Sequence, residues 1–271
     1  MGPRQTARGI VRVVESGVEN AIRSLVAGRG LTFSTFTLLV FGGAGGLHAC
    51  GLARRLGIAR ILVPPDPGLF SALGLALSPC AWESSRTVLQ RTRDLRTKTI
   101  DSLTEGMVRE GTRQINRDDP SSGAGIRVFR TADLRYAGQS HELTLPVGPR
   151  LAQRFHRDHE RAYGYARRGD EMELVTLRVR VEGPVPKLDW RSIFGATRPS
   201  GMATERRLPG RFSTRGSVRC LPRFSLPRHA RLAGPLLVEE YSATTYVADG
   251  FELRVGDLGE LVIEDRVGTR A

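Results

Sequence analysis

Residues 38–57, LLVFGGAGGLHACGLARRLG, constrain the fold more than any other stretch of this 271-residue chain. Leu38, Leu39, Val40 and Phe41 form a short unbroken apolar run, the pattern of a strand covered on both faces. Gly42, Gly43, Gly45 and Gly46 then crowd into five positions, which permits a sharp turn because glycine enters φ > 0 cheaply. A helix follows and closes at Gly57. Strand, glycine turn and helix make an α/β unit whose helix presents its first N–H groups and its positive dipole end to the turn, an arrangement that suits a phosphate. The strict G-x-G-x-x-G and Walker spacings are both missing. On pattern alone the turn reads equally as phosphate contact or as tight packing.

The flanking segments extend the α/β pattern. Thr6 is placed to cap a helix running to about Gly28, with Ile10, Val13, Val14, Ala21, Ile22, Leu25 and Val26 close to one face. A strand is expected over 36–41, a second over 61–63, and a helix over 68–77 after the break at Pro64, Pro65 and Pro67. Trp82–Gln90 reads as a strand and Thr97–Ile115 as a helix burying Ile100, Leu103, Met107 and Val108. Ile126–Tyr136 and His141–Val147 read as a β-pair, Leu151–Ala162 as a helix and Glu173–Val181 as a strand. Gly183–Phe212 has Pro, Gly and Arg without periodicity and reads as a linker or surface excursion. Short strands follow from Ser217, with turns at Asp249–Gly250 and Gly256. The expected organisation is an α/β segment over 1–115, an α+β segment over 116–182, a linker over 183–216 and a small β-rich C-terminal module over 217–271.

Composition excludes several classes. No run approaches the ~20 apolar residues of a spanning helix. The first helix carries Glu15 and Glu19 and lacks the apolar core of a signal peptide. The net charge of +13 invites a nucleic-acid reading, but the basic residues are scattered and aromatic content is 6%. No specific nucleic-acid partner and no membrane partner are therefore expected. Cys50, Cys80 and Cys220 are widely spaced, which fits free thiols in a reducing, cytoplasmic setting.

Five ordered words carry a family resemblance: FGGAGGLHA at Phe41–Ala49, ARRLGIARILVPPDPGLFSALGLALS at Ala53–Ser78, ADLRYAGQSHELTLPV at Ala132–Val147, HERAYGY at His159–Tyr165 and GPLLVEEYSATTYVADG at Gly234–Gly250. With these the chain resembles the hydantoinase A / 5-oxoprolinase family, whose relatives include nucleotide-binding subunits of acetone-type carboxylases. Inside the first word the family usually has proline where this chain has Gly46. The resemblance implies part of an actin/hexokinase/Hsp70-like (ribonuclease H-like) nucleotide-binding lobe. It implies ATP with Mg, and opening of a cyclic amide through phosphoryl activation of the lactam. The Asp-x-Gly-Gly-Thr-type loop of such folds does not occur in the sequence. The chain is thus read as a carboxy-terminal portion that needs a missing N-terminal lobe, or a hydantoinase B-type subunit, as partner. A non-catalytic truncated paralogue or assembly subunit, and a nucleotide-binding subunit of an acetone-type carboxylase, are the alternatives.

The resemblance places Gly42, Gly43, Ala44, Gly45 and Gly46 against a nucleotide; His48, at the helix start beside the turn, reads either as a nucleotide-binding phosphate contact or as a packed imidazole. Pro67, Gly68 and Ser71 begin the next helix, whose amino end either faces the cleft or, the better reading, is a plain capped helix start. Tyr136, Gly138, Gln139 and Glu142 form a hairpin pattern in which Gln139 suits an amide or carboxylate and Glu142 suits a base; the bland reading is a polar turn. His156 and His159 lie one helical turn apart, but Asp158 and Glu160 point elsewhere on that helix, and no metal is expected there. Glu239 and Glu240 read as a solvated strand edge.

Overall fold

The computed structural model describes residues 2–27, 31–94, 97–120, 125–187, 189, 205–209 and 217–266. The chain divides into two compact units, one built from Met1–Ala76 with Leu188–Ala271, the other from Leu77–Lys187.

In the first unit, α1 (Pro3–Val26) starts earlier than expected. Pro3 occupies the first helical position, where its fixed φ and missing N–H cost nothing. Two parallel strands follow, β1 (Thr37–Leu39) and β2 (Arg60–Val63), joined through α2 (Gly45–Leu56). Gly57 closes α2 with φ +70°. A 3-10 turn at Pro67–Leu69 leads into α3 (Phe70–Leu77). The later strands β7 (Arg206–Pro209), β8 (Ser217–Pro222), β9 (Arg231–Ala233), β10 (Leu236–Glu240), β11 (Ala243–Val247), β12 (Phe251–Val255) and β13 (Leu261–Asp265) belong to this unit too.

They do not close on themselves. β13, β12 and β9 continue the first sheet in the order β1-β2-β13-β12-β9, with β13 antiparallel to β2. β11, β10, β8 and β7 form a second sheet. Ala49, Cys50 and Ala53 of α2 share one core with Ile61, Leu236, Val238, Val247, Leu253 and Ile263, so α2 and both sheets bury their apolar faces together. Arg206–Pro209, expected within a linker, is a strand paired with β8. Most of the remaining expected linker lies outside the described residues.

The second unit holds β3 (Ala81–Arg91), α4 (Thr97–Asp118), β4 (Arg127–Tyr136), β5 (Leu143–Pro146), α5 (Leu151–Tyr163) and β6 (Met172–Glu182), with sheet order β3-β6-β4-β5, all antiparallel. Met107 and Ile115 of α4 pack on Val179 and Val181 of β6, while Phe155 of α5 packs with Tyr136, Leu145 and Leu177. Gly111 lets α4 approach the sheet: a Cβ there would lie 2.4 Å from Trp82 Cε3. Among the described residues no helix is long and apolar enough to cross a membrane.

Candidate functional site

The glycine turn leaves the C-terminal end of β1 and is pinned from two sides. Gly42, at φ +90°, donates its N–H to the carbonyl of Pro67 at 2.7 Å. The carbonyl of Gly43 accepts from the N–H of Thr244 at 3.1 Å. Ala44 is the N-cap of α2 and provides no side-chain cap. The N–H groups of Gly45 and Gly46 therefore open the helix where no preceding turn supplies acceptors. Gly43 and Ala44 are exposed, while Gly46 is buried.

Burial of Gly46 has a clear cause. A Cβ at that position would stand 2.6 Å from Thr245 Oγ1, 2.7 Å from the Thr244 carbonyl oxygen and 2.8 Å from Thr245 Cα. The backbone of β11 occupies the space that a side chain, or a proline ring, would need. Glycine here is a packing requirement. Thr245 is 1% exposed, and its hydroxyl oxygen has no hydrogen-bond partner among the described residues. A buried orphan hydroxyl beside an uncapped helix start is polar capacity left unused by the fold.

Pro67 and Gly68 belong to the same junction. A Cβ on Gly68 would collide with Ser242, 2.2 Å from its Oγ and 2.6 Å from its carbonyl oxygen. Ser242 also limits Gly43, whose Cβ would lie 3.0 Å from that carbonyl. The turn between β10 and β11 thus forms the floor on which both glycine segments rest. Sequence reasoning named the word containing Ser242, Thr244 and Thr245 but assigned them no role. Nothing local signals that residues so far along the chain lie under the first turn.

His48 turns away from the tip. Its Nδ1 is buried without a hydrogen bond and lies 3.6 Å from Glu15 Oε1 on α1. Cys50, two residues on, donates weakly to the Tyr246 carbonyl, and burial pushes its thiol up to about 11. A cleft of about 610 Å³, lined by Ser34, Thr35, Thr37, Arg60, Glu264 and Arg266 among others, opens at the N-terminal ends of β1 and β2. The glycine turn lies at the opposite end of those strands.

Within the second unit two other words meet. Tyr136 is fully buried, and its hydroxyl accepts from the Arg167 N–H at 2.8 Å and lies 2.7 Å from His156 Nδ1. With the backbone donor already on that oxygen, Tyr136 donates to a neutral imidazole. Burial lowers the His156 pKa, and the charges of Arg168 and His159 lower it further. His159 places Nδ1 2.8 Å from the Tyr165 carbonyl, and its Nε2 faces the Gln139 amide at 3.3 Å. Gln139 Nε2 donates to the Tyr165 hydroxyl at 3.1 Å.

The amide of Gln139 is thus held inside a Tyr–His cluster. Glu142 is exposed and lies 3.8 Å from Arg135. Both imidazoles have protein partners. Among the described residues no group of three or more His, Cys, Asp or Glu is arranged to hold a metal ion.

Glu240 departs from its expectation. It is not a solvated edge residue: its carboxylate pairs with Arg223 at 2.9 Å, the two side chains being 9% and 10% exposed. Arg223 also donates to the carbonyls of Val63 and Gly259, which ties β10 to the end of β2. Glu239 pairs with Arg206 on the surface.

Comparison with known proteins bears on these arrangements. Residues 1–84 match the family model described as hydantoinase/oxoprolinase. An uncharacterized protein of Methanocaldococcus jannaschii is 31% identical over 264 residues, which is 96% of this chain and 38% of that protein. The crystal structure of an ATP-dependent caprolactamase from Pseudomonas jessenii superposes with a TM-score of 0.66 at 23% identity, covering 96% of this chain and 40% of its own. A nucleotide-free acetone carboxylase superposes with a TM-score of 0.63 at 19% identity, covering 95% and 39%. The structural likenesses establish the mixed α/β fold, and the chain spans about two fifths of each of these proteins. Over residues 1–84 the chain matches the hydantoinase/oxoprolinase family, and over nearly all of its length it is similar to longer proteins of which it spans about two fifths.

Proposed function

We propose that the chain supplies one side of a nucleotide site in an ATP-dependent enzyme that opens cyclic amides, and that further polypeptide supplies the other side. The observation that carries this reading is the exposed tip at Gly43–Ala44, uncapped at the start of α2, with the unpartnered Thr245 hydroxyl buried beneath it. Backbone N–H groups at a bare helix start match phosphate oxygens, and a tip with no side chain larger than a methyl lets the phosphates approach the main chain. The residues present therefore fit the anionic part of a nucleotide. Gly42, Gly43, Ala44, Gly45 and Gly46 form the contact surface in this reading. His48 acts from behind, through the first turns of α2 and Glu15.

Bound ATP supplies the phosphoryl group that turns a poorly electrophilic lactam into one that water attacks. The chain's own part is to fix the nucleotide through backbone donors and to hold the turn rigid against β11. In this reading a metal such as Mg is held by the nucleotide's phosphates and the partner polypeptide. The two-lobed actin/hexokinase/Hsp70 arrangement is the architecture in which such a half-site operates. The ATP dependence of the P. jessenii caprolactamase supports the choice of nucleotide.

Isothermal titration of the full chain with ATP tests the reading. The wild type is expected to bind, and Ala44→Glu, a charge placed at the exposed tip, to weaken binding at least tenfold with an unchanged circular dichroism spectrum. Equal affinity in the two proteins, or no heat in either, overturns it. Complete turnover of 5-oxoproline by this chain alone would refute the half-site.

A further inference from the structure

Helix α1 meets the rest of its unit through Glu15, Glu19 and Arg23, with Ile22 against the core. Glu15 and Glu19 face α2, where Arg55 lies 3.7 Å from the first and 3.5 Å from the second. Arg23 donates to the Arg55 carbonyl at 2.9 Å. Gly51 makes room for this contact, since a Cβ there would stand 2.7 Å from Glu15 Oε1. Away from that contact the helix exposes Ile10, Val14, Val18 and Leu25, at 61%, 46%, 40% and 68%. Val11, Val14, Val18, Ala21 and Leu25 follow one another at steps of three and four, the spacing of a seam that meets another element along its length. Single exposed apolar residues need no explanation, whereas a continuous stripe on one helix marks an interaction site.

We propose that this outward face of α1 docks the polypeptide that longer family members carry beyond the region matched here. Two observations select that occupant. The whole of α1 lies inside residues 1–84, so it is a family segment and not an addition particular to this chain. The chain covers 38% of its M. jannaschii relative and 40% of the caprolactamase, so these proteins hold more than as much again of other polypeptide to cover such a face. A membrane surface is the poorer fit: the charged side that an interfacial helix turns to headgroups is engaged with α2. The identity of the partner rests on the half-site reading; the existence of the surface does not. Its position behind α2 gives the partner a route to the glycine turn through Glu15 and His48.

The probe is the part of the M. jannaschii relative outside the 264 matched residues, produced as a separate polypeptide and mixed with the full chain. Light scattering after gel filtration is expected to show a one-to-one complex, with amide exchange slowed across α1. Val14→Glu with Val18→Glu should weaken that complex at least tenfold and leave the chain's urea midpoint unchanged. Val14→Gln with Val18→Gln, which favours the helix over valine, should act in the same direction. Absence of a complex, or a complex indifferent to these changes, overturns the proposal. So does an α1-dependent homodimer of this chain, or α1-dependent binding to vesicles of phosphatidylcholine and phosphatidylserine. ATP titrated into the same mixture separates the two readings. A complex that binds no ATP removes the nucleotide role and keeps the docking face. ATP binding by the wild-type chain without any complex removes the docking face alone.

Discussion

Gly46 and Gly43 sit three residues apart in one turn and answer to different demands. At Gly46 the obstacle to a side chain is the backbone of β11, which cannot swing aside as a flexible side chain does. Gly46→Ala is expected to cost about 1–3 kcal/mol, the usual range for overpacking, and a urea titration reads it. Gly43 is exposed, yet a Cβ there would lie 3.0 Å from the Ser242 carbonyl oxygen, so its replacement should cost stability as well as ligand. The Tyr136 cluster gives a second residue-scale expectation. Tyr136→Phe removes the acceptor of the half-buried hydrogen bond from the Arg167 N–H, a loss of about 1 kcal/mol.

The same cluster sets a pH dependence. The folded pKa of His156 lies below its ordinary 6.5, so the unfolded chain takes up the proton first as pH falls. Its contribution to stability is complete above about pH 6.5 and is lost as pH drops toward the lowered folded value. Urea midpoints at pH 7.5 and pH 5.5 should differ in the wild type and converge in His156→Gln.

At the scale of elements, α4 shows two effects in opposition. Gly111→Ala raises intrinsic helix propensity by about 1 kcal/mol. It also drives a methyl into Trp82 and into Val181 Cγ2, the latter 2.7 Å from the Cβ position. Crowding against a ring and a β-branched side chain outweighs propensity, and the melting temperature is expected to fall. Elements of this kind were legible in the sequence. The αL closure of α2 at Gly57, the strand pairing of β4 with β5 and the buried side of α4 all follow from local pattern.

The orientation of α1 was not legible. Periodicity identifies two faces of a helix and is silent about which one finds a neighbour. The role of Arg223 was equally hidden, because a buried ion pair has no short-range signature in sequence. Ser242 and Thr245 were visible only as part of a family word, since the contact that gives them meaning joins distant parts of the chain.

For the whole molecule, the division into two units has a simple consequence. Residues 77–187 run continuously and contain both the Phe155 and the Met107 clusters. Expressed alone, they are expected to unfold in one cooperative urea transition; a gradual loss of signal would contradict the division. The first unit is built from both ends of the chain, and residues 1–76 alone should give no such transition. The net charge of +13 adds a further expectation: retention on heparin at low salt, lost by about 0.3 M salt as counterions compete.

The order β1-β2-β13 also bears on how the protein is made. During translation β2 leaves the ribosome long before β13, and the intervening chain includes the entire second unit. One hydrogen-bonding edge of β2 therefore waits unpaired through most of synthesis, an invitation to aggregation that chaperones exist to manage. Nascent chains stalled after residue 187 should leave their first 76 residues open to protease, and release of the remaining strands should close that window.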